Sequence, residues 1–195
     1  MKLHTEECVE EIFMRFFWSV FFLILLIPPS VSAQSSLLGE DPVFRSAAYG
    51  DAAAVETFLL TGNNPNIRDL KKVPLLHHAA IAGVPKTVRT LLRHGARVDL
   101  ADPFGNTALM QAAAYGSTAA ALLLIEAGSK LDEENRQGET ALIKAAKTGH
   151  YDVAKLLLEK GATADQTDFT GRTALDHARQ NRHPDVVRLL SDAKS

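Results

Sequence analysis

The chain has 195 residues, of which 46% are hydrophobic and 23% are charged, which argues against a disordered, collagen-like or coiled-coil protein. Two of the 21 basic and four of the 23 acidic residues lie within residues 1–33, so the remainder carries 19 charges of each sign. This neutral remainder lacks the basic block that would favour nucleic acid or an anionic membrane as a partner. It also lacks cysteine, which excludes disulfides, cysteine metal clusters and a thiol nucleophile there.

The first predicted element is an apolar run from Phe16 to Ile27, interrupted only by one serine. It is long enough for a signal peptide and well short of the roughly 20 residues that a membrane span needs. Arg15 precedes the run, and the sequence Val-Ser-Ala at 31–33 is a small-residue cleavage pattern before Gln34. We therefore predict a signal peptide over residues 1–33 and an exported mature chain. An uncleaved membrane anchor is the alternative.

The residues ahead of Met14 do not resemble the start of a signal peptide. They carry four glutamates, whereas this segment normally has a net positive charge. Met14 followed by Arg15 and the apolar run would form an ordinary signal, so we expect translation to begin at Met14. No cysteine stands at the cleavage site, which excludes a lipid anchor attached there.

A 33-residue period runs through the rest of the chain. The residues that recur at this step are Asp69, Asp102, Asn135 and Asp168; Gly105, Gly138 and Gly171; Thr107, Thr140 and Thr173; and Leu76, Leu109, Leu142 and Leu175. Two glycine series share the step, namely Gly50, Gly83, Gly116 and Gly149, and Gly62, Gly95, Gly128 and Gly161. Such self-similarity indicates a repeat architecture.

Each repeat unit can be interpreted from its residue types. Asp-x-x-Gly-x-Thr predicts a turn that leads into a helix capped by the threonine. The helix that follows is short and rich in alanine, as in 108–115 and 141–148, and a glycine ends it. A second helix, as in 118–127 and 151–160, carries a leucine run and also ends at glycine. Two short helices cannot bury their apolar sides alone, so neighbouring units must stack. We expect Leu157 to be buried in this way.

These motifs resemble the ankyrin-repeat family, whose signature is D-x-x-G-x-T-P-L-H-x-A-A-x-x-G followed by L-L-L-x-x-G-A. The segments DPFGNTALMQAAAYG (102–116) and NRQGETALIKAAKTG (135–149) fit it almost position by position. Segment 69–83 has Lys72 and Pro74 in place of glycine and threonine, and the last unit has Arg182 in place of glycine. The resemblance implies an all-α solenoid of about five 33-residue helix-turn-helix units joined by β-turn fingers.

The repeat boundaries follow from this register. We place an ankyrin-repeat domain at 34–195, with units at about 36–68, 69–101, 102–134, 135–167 and 168–195. The first unit diverges, with Asp41 in place of the capping threonine, and the first and last units are expected to be caps that turn one face to water. With the signal, the chain is similar to small bacterial periplasmic ankyrin-repeat proteins, and secretion is the alternative location.

The candidate catalytic groups are His77, His78, Asp176 and His177. Adjacent helical residues do not face one another, so neither adjacent pair forms a site alone. The resemblance implies that His77 makes a structural hydrogen bond between turns. His150 and His183 stand where second helices begin, and the sequence contains none of the common phosphate-loop, hydrolase or zinc-protease motifs. We expect no catalytic residues, no metal and no cofactor.

The resemblance implies that the turn tips and the exposed side of the first helices form a concave binding face. Phe104 and Phe169 fall at turn tips, and Tyr49 and Tyr115 end first helices. The full set that we assign to protein binding is Tyr49, Phe104, Asn106, Tyr115, Arg136, Glu139, Lys147, Phe169 and Arg172. Aromatic residues and arginine on an exposed surface are the usual interface anchors, although packing against the next repeat is the alternative for each aromatic.

The sequence therefore predicts a monomeric, exported, non-enzymatic adaptor whose partner is another protein, without nucleic acid and without a membrane once the signal is removed. An inhibitor or immunity-type protein that binds one enzyme of the same compartment is the alternative function. An enzyme built on His77, His78 and Asp176 is the third.

Overall fold

The computed structural model describes residues 41–193, and the predicted signal peptide, Met14 and residues 34–40 lie outside this range. Short helices arranged in consecutive pairs make up the described part. The helices are α1 Pro42–Ala48, α2 Ala52–Leu60, α3 Leu75–Ala82, α4 Pro85–Arg93, α5 Ala108–Ala114, α6 Thr118–Glu126, α7 Ala141–Thr148, α8 Tyr151–Glu159, α9 Ala174–Gln180 and α10 Pro184–Asp192.

The helices form two layers. The first helix of each pair stacks on the first helix of the next, so that α1, α3, α5, α7 and α9 make one row, and the second helices make a parallel row. Within each pair the two helices also pack together. Between pairs, the turns are hairpin-like, and isolated antiparallel bridges join Arg68 to Pro74 and Thr167 to Thr173. The predicted all-α solenoid with β-turn fingers is confirmed.

The first helices begin where the sequence predicts. The hydroxyl oxygens of Thr107, Thr140 and Thr173 accept hydrogen bonds from the backbone N–H groups three residues later. In the first unit the carboxylate of Asp41 accepts from the N–H of Val43 at 3.0 Å, so it replaces the capping threonine as expected. These caps satisfy N–H groups that a helix start would otherwise leave without a partner.

The core lies between the two helix layers. Paired alanines such as Ala112 and Ala113 are fully buried on the first helices, where small side chains let neighbouring helices approach closely. The second helices of the last four repeats each contribute one leucine at the same register, and these side chains are buried: Leu91, Leu124, Leu157 and Leu190. The expectation that Leu157 is buried is therefore confirmed.

Neighbouring repeats also meet where one second helix begins. His150 and His183 occupy the N-cap positions of α8 and α10, as predicted for helix-start residues. Their rings lie against Gly116 and Gly149 of the preceding repeat, where an added Cβ would come within 2.5 Å of Nδ1. Each ring also donates from Nε2 to a carbonyl of that repeat, at 3.1 Å for His150 and 3.3 Å for His183. Val84 and Ser117 pack over Gly50 and Gly83 in the same way.

Two residues without glycine's freedom adopt left-handed backbone. Lys72 has φ of 61° and Arg182 has φ of 59°. Both occupy repeat positions at which the other units carry glycine, such as Gly105 with φ of 82° and Gly149 with φ of 82°. The turn geometry is therefore kept although the residue type is unfavourable there.

The last helix turns charged side chains to solvent, as expected for a capping unit. Asp185 and Arg188 are each 74% exposed, while Val186 and Leu190 on the same helix are buried. Within residues 41–193, none of the helices has the length and apolar character needed to cross a bilayer.

Candidate protein-binding face

The turns between repeats are shaped by the side chain at their first residue. The Oδ1 atom of Asp102 accepts from the N–H groups of Phe104 at 2.8 Å and Asn106 at 2.9 Å. Asn135 and Asp168 make the same pair of bonds to the residues two and four positions later. Because the side chain holds both arms of the turn from within, the residues at its tip project outward. We call the turns at 69–72, 102–105, 135–138 and 168–171, with the exposed sides of the first helices, the tip face.

The four aromatic residues of the predicted set are exposed. The exposed fractions are 63% for Phe104 and 73% for Phe169 at the turn tips, and 82% for Tyr49 and 60% for Tyr115 at the ends of α1 and α5. The prediction that Phe104 and Phe169 are exposed is confirmed. Their binding role stays a prediction.

Leu70 is an apolar tip residue that the sequence interpretation missed. It is 75% exposed and follows Asp69 directly, as Phe169 follows Asp168. The signal that could have identified it is this shared register, because the residue directly after the turn aspartate stands at the tip whether it is aromatic or aliphatic. Apolar side chains therefore stand on the tips of three described turns.

The tips of neighbouring turns are held together. The N–H of Arg136 donates to the carbonyl oxygen of Phe104 at 3.0 Å, and the N–H of Phe169 donates to that of Gln137 at 3.0 Å. The ring of Phe169 lies so close to Gly138 that a Cβ there would come within 2.6 Å of Cδ1. The tips are thus ordered before any partner arrives, which lowers the entropy cost of binding.

Asn106 and Glu139 were predicted to contact a partner, and the structure places them elsewhere. Asn106 is 8% exposed, donates to the carboxylate of Asp102 at 2.9 Å and accepts from the side chain of Asn135 at 2.9 Å. Glu139 is 6% exposed and also accepts from Asn135. The side chain of Asn106 therefore links its turn to the next one through Asn135, whereas that of Glu139 bonds to Asn135 within its own turn. Including them among the exposed contact residues was wrong.

Glu139 is the centre of a charged cluster. It accepts hydrogen bonds from the ammonium groups of Lys144 and Lys147, both at 2.8 Å. Burial alone would raise the pKa of Glu139, but the bonds from the two lysines and from Asn135 outweigh it and lower the pKa to about 2. Lys147 remains half exposed, and Arg136 and Arg172 are exposed at the turns, as predicted for these three.

His77, His78 and Asp176, the groups considered for catalysis, each bond to a different partner. His77 donates from Nε2 to the carbonyl oxygen of Leu100 at 2.7 Å, which is the structural bond that the resemblance implied. His78 instead contacts Asp69 at 3.0 Å. Asp176 caps α9 by accepting from the hydroxyl and N–H of Thr173. The three candidate groups thus face separate partners.

A buried His–Asp pair joins α9 to the last turn. His177 Nε2 lies 2.8 Å from Asp168 Oδ2, and both side chains are 7% exposed. Burial would raise the pKa of Asp168, but hydrogen bonds from Thr170, His177 and Arg172 hold it well below its ordinary value. Among residues 41–193, no three histidine, cysteine or carboxylate side chains are grouped as a metal site would require. The pair has the geometry of a structural tie between turn and helix.

A comparison with protein families identifies the repeats. A family model described as ankyrin repeats (3 copies) matches residues 43–135 and 120–195, which together span most of the chain. A search of curated proteins finds no match.

Proposed function

The chain belongs to the ankyrin-repeat family, and we propose that it is an exported, non-enzymatic adaptor that captures one protein partner on the tip face. Ankyrin repeats are generally protein–protein interaction modules, so a protein partner is the expected ligand class. The five helix pairs, at about 10 Å per packed pair, offer a surface about 50 Å long, ample for a standard interface.

The exposed aromatic residues carry this proposal. A large apolar side chain in water gives up roughly 1.5–3 kcal/mol relative to full burial. Phe104, Tyr115 and Phe169 are each at least 60% exposed, whereas core leucines such as Leu124 and Leu157 are fully buried. Exposed aromatics on ordered turns supply the kind of anchor on which binding energy concentrates. The positively charged Arg136 and Arg172 beside them would form a polar rim.

Capture of the native partner tests the binding role. Replacing Phe104, Tyr115 and Phe169 by alanine should strongly reduce the partner recovered from the native compartment and leave thermal stability nearly unchanged, because exposed side chains contribute little to folding. The matched control replaces Leu60 and Tyr151, which are exposed on second helices. If the control variant loses the partner and the aromatic variant keeps it, binding uses the opposite layer and the proposal fails.

Export is the second part of the proposal and rests on the sequence of residues 16–33. Mass spectrometry of the protein from its native cell should find an N-terminus at Gln34. The periplasm is the expected compartment, and secretion is the alternative. Recovery of the chain in a membrane fraction with residues 16–27 intact would contradict export as a cleaved protein.

A further inference from the structure

The charges of this neutral chain are distributed unevenly over its two helix layers. Several cationic side chains are exposed on the tip face. The turns and first helices that form this face lie in residues 41–49, 69–82, 102–115, 135–148 and 168–181. The exposed cationic residues are Arg45, Lys71, Lys72, Arg136, Lys147, Arg172 and Arg179. The exposed carboxylates in the same segments are Asp41 and Asp176. Arg68 and Glu134, which directly precede two of the turns, add one charge of each sign.

The carboxylates of the tip face are largely occupied by the fold. Asp41 and Asp176 each accept a hydrogen bond at a helix N-terminus, where the positive end of the helix partly compensates their charge. Asp69, Asp102 and Asp168 lie buried inside the turns. Among residues 41–193, the exposed acidic residues stand mainly on the other layer, for example Glu126, Asp152, Glu159 and Asp185. The tip face therefore presents positive charge to a partner.

The positive charge flanks an uncharged centre. The third repeat contributes Phe104 and Tyr115 to the tip face, and its segment 102–115 contains no lysine or arginine. On one side the second repeat presents Lys71 and Lys72, and on the other side the fourth repeat presents Arg136. The arrangement along the solenoid is thus cationic, aromatic and again cationic.

We propose that the tip face binds an extended, acidic segment of a partner protein that carries apolar side chains at its centre. This inference rests on the proposed function and specifies its ligand. The central apolar side chains contact Phe104 and Tyr115, and acidic residues on both sides face the lysines of the second repeat and the arginines of the fourth and fifth.

The repeat spacing sets the length of the segment. The four described turns span three repeat steps, or about 30 Å at about 10 Å per packed helix pair. An extended chain rises about 3.3 Å per residue, so about nine residues cover this distance. A peptide of about twelve residues is therefore long enough to contact every described turn.

The charge pattern favours a protein segment over a nucleic acid or an anionic membrane. Both of those ligands require positive charge that continues along the contact surface. Here the tip face of the third repeat, which has aromatic residues and no cation, divides the cations. With repeats about 10 Å apart, the two groups are separated by more than a Debye length at physiological salt. A segment with acidic residues on both sides of an apolar centre matches this division.

A library of random twelve-residue peptides on phage, panned on the purified protein, tests the inference. We expect enriched peptides to carry Asp or Glu on both sides of aromatic or aliphatic residues. The affinity of a labelled peptide from the enriched pool should fall about tenfold or more between 50 and 500 mM NaCl, because salt screens exposed charges. A single strand of twenty thymidines and vesicles of phosphatidylglycerol serve as the other two probes.

Charge reversal supplies the matched variants. The variant Lys71→Glu, Arg136→Glu, Arg172→Glu should weaken the enriched peptide about tenfold or more, because all three positions lie on the tip face. The control variant Lys86→Glu, Arg89→Glu, Lys160→Glu changes the net charge equally on the other layer and should bind within about twofold of the unmodified protein. Thermal melts by circular dichroism establish that both variants fold.

The outcomes separate this inference from the proposed function. Enriched peptides without acidic residues, which bind the charge-reversed variant normally and lose affinity in the aromatic alanine variant, would overturn the acidic segment and leave the adaptor function standing. Binding of the thymidine strand or the vesicles more tightly than any peptide would overturn the choice of a protein ligand. If no peptide is enriched, a short linear segment is the wrong ligand, and capture of the native partner still decides the function.

Discussion

Replacing Lys72 or Arg182 by glycine should stabilise the protein. Both residues have left-handed backbone, in which the Cβ of an L-residue lies too close to its own backbone, at a cost of about 1–2 kcal/mol. Glycine removes this cost, but it also makes the unfolded chain more flexible, which destabilises the folded protein by about 0.4–1 kcal/mol. The expected net gain is about 0.8 kcal/mol for each substitution. The backbone hydrogen bonds of Lys72 and Arg182 do not involve the side chain and are retained.

The two sites lie in different repeats, so their effects should add. The double variant should therefore gain about 1.5 kcal/mol, which corresponds to a rise in Tm of about 3–6 °C for a domain of this size. Urea denaturation followed by far-ultraviolet circular dichroism measures the change. The single tryptophan, Trp18, lies in the predicted signal peptide, so fluorescence would not report on the repeats.

The neighbouring lysine provides a matched control. Lys71 is the same residue type and is also exposed, but its φ is not positive. Lys71→Gly should therefore destabilise the protein by up to about 1 kcal/mol, because only the flexibility of the unfolded chain increases. If Lys71→Gly and Lys72→Gly change the free energy of unfolding in the same direction, the argument from backbone conformation is refuted.

Three further changes test the core. Leu157→Ala should lower the free energy of unfolding in urea by about 2–5 kcal/mol, because the side chain is fully buried. Leu60→Ala, at a site that is 72% exposed, should change it by no more than about 0.5 kcal/mol. Equal effects would mean that the repeat register is wrong. The buried hydroxyl of Thr90 has no hydrogen-bond partner among residues 41–193, so Thr90→Val should raise the free energy of unfolding by about 1 kcal/mol. Thr140→Val should lower it by about as much, because that hydroxyl caps α7. A loss of stability in Thr90→Val would show that the Thr90 hydroxyl is hydrogen-bonded. Burial lowers the pKa of His77, so the unfolded chain takes up a proton at this residue before the folded chain does as pH falls below about 6.5. The stability that His77 contributes is therefore present above that pH and is lost below it. Between pH 7.5 and 5, the free energy of unfolding should fall less in His77→Gln than in the unmodified protein, and an equal fall would contradict this role.

Much of the fold could be predicted because the determining residues recur at fixed spacing. The glycines, the capping threonines and the leucine runs each specify a local feature, and their common period specifies how the units stack. Position alone also placed Phe104 and Phe169 at exposed tips, since they lie between the turn aspartate and the helix. These features depend on local geometry that each repeat reproduces.

The remaining part of the candidate site depends on contacts between side chains that the period does not specify. Asn106 and Glu139 occupy variable positions, which suggested exposure, but Asn106 bonds to Asn135 of the next repeat and Glu139 bonds to two lysines of its own repeat. The composition is neutral because it averages both helix layers, so it gave no indication that exposed carboxylates are scarce on the tip face. Neither property follows from the period, because both depend on which side chains the folded structure buries and which it leaves exposed.

The contact between repeats at the start of each second helix has a consequence for how such a chain can change by duplication. Val84, Ser117, His150 and His183 differ in size and polarity, yet each lies over a glycine of the preceding unit. Because the receiving position is glycine every time, any of these four residues could be accommodated at any of the junctions. The coding sequence for an interior block of 33 residues could then be copied, removed or exchanged without a compensating substitution at this contact between repeats. Such an event would lengthen or shorten the binding surface by one complete unit.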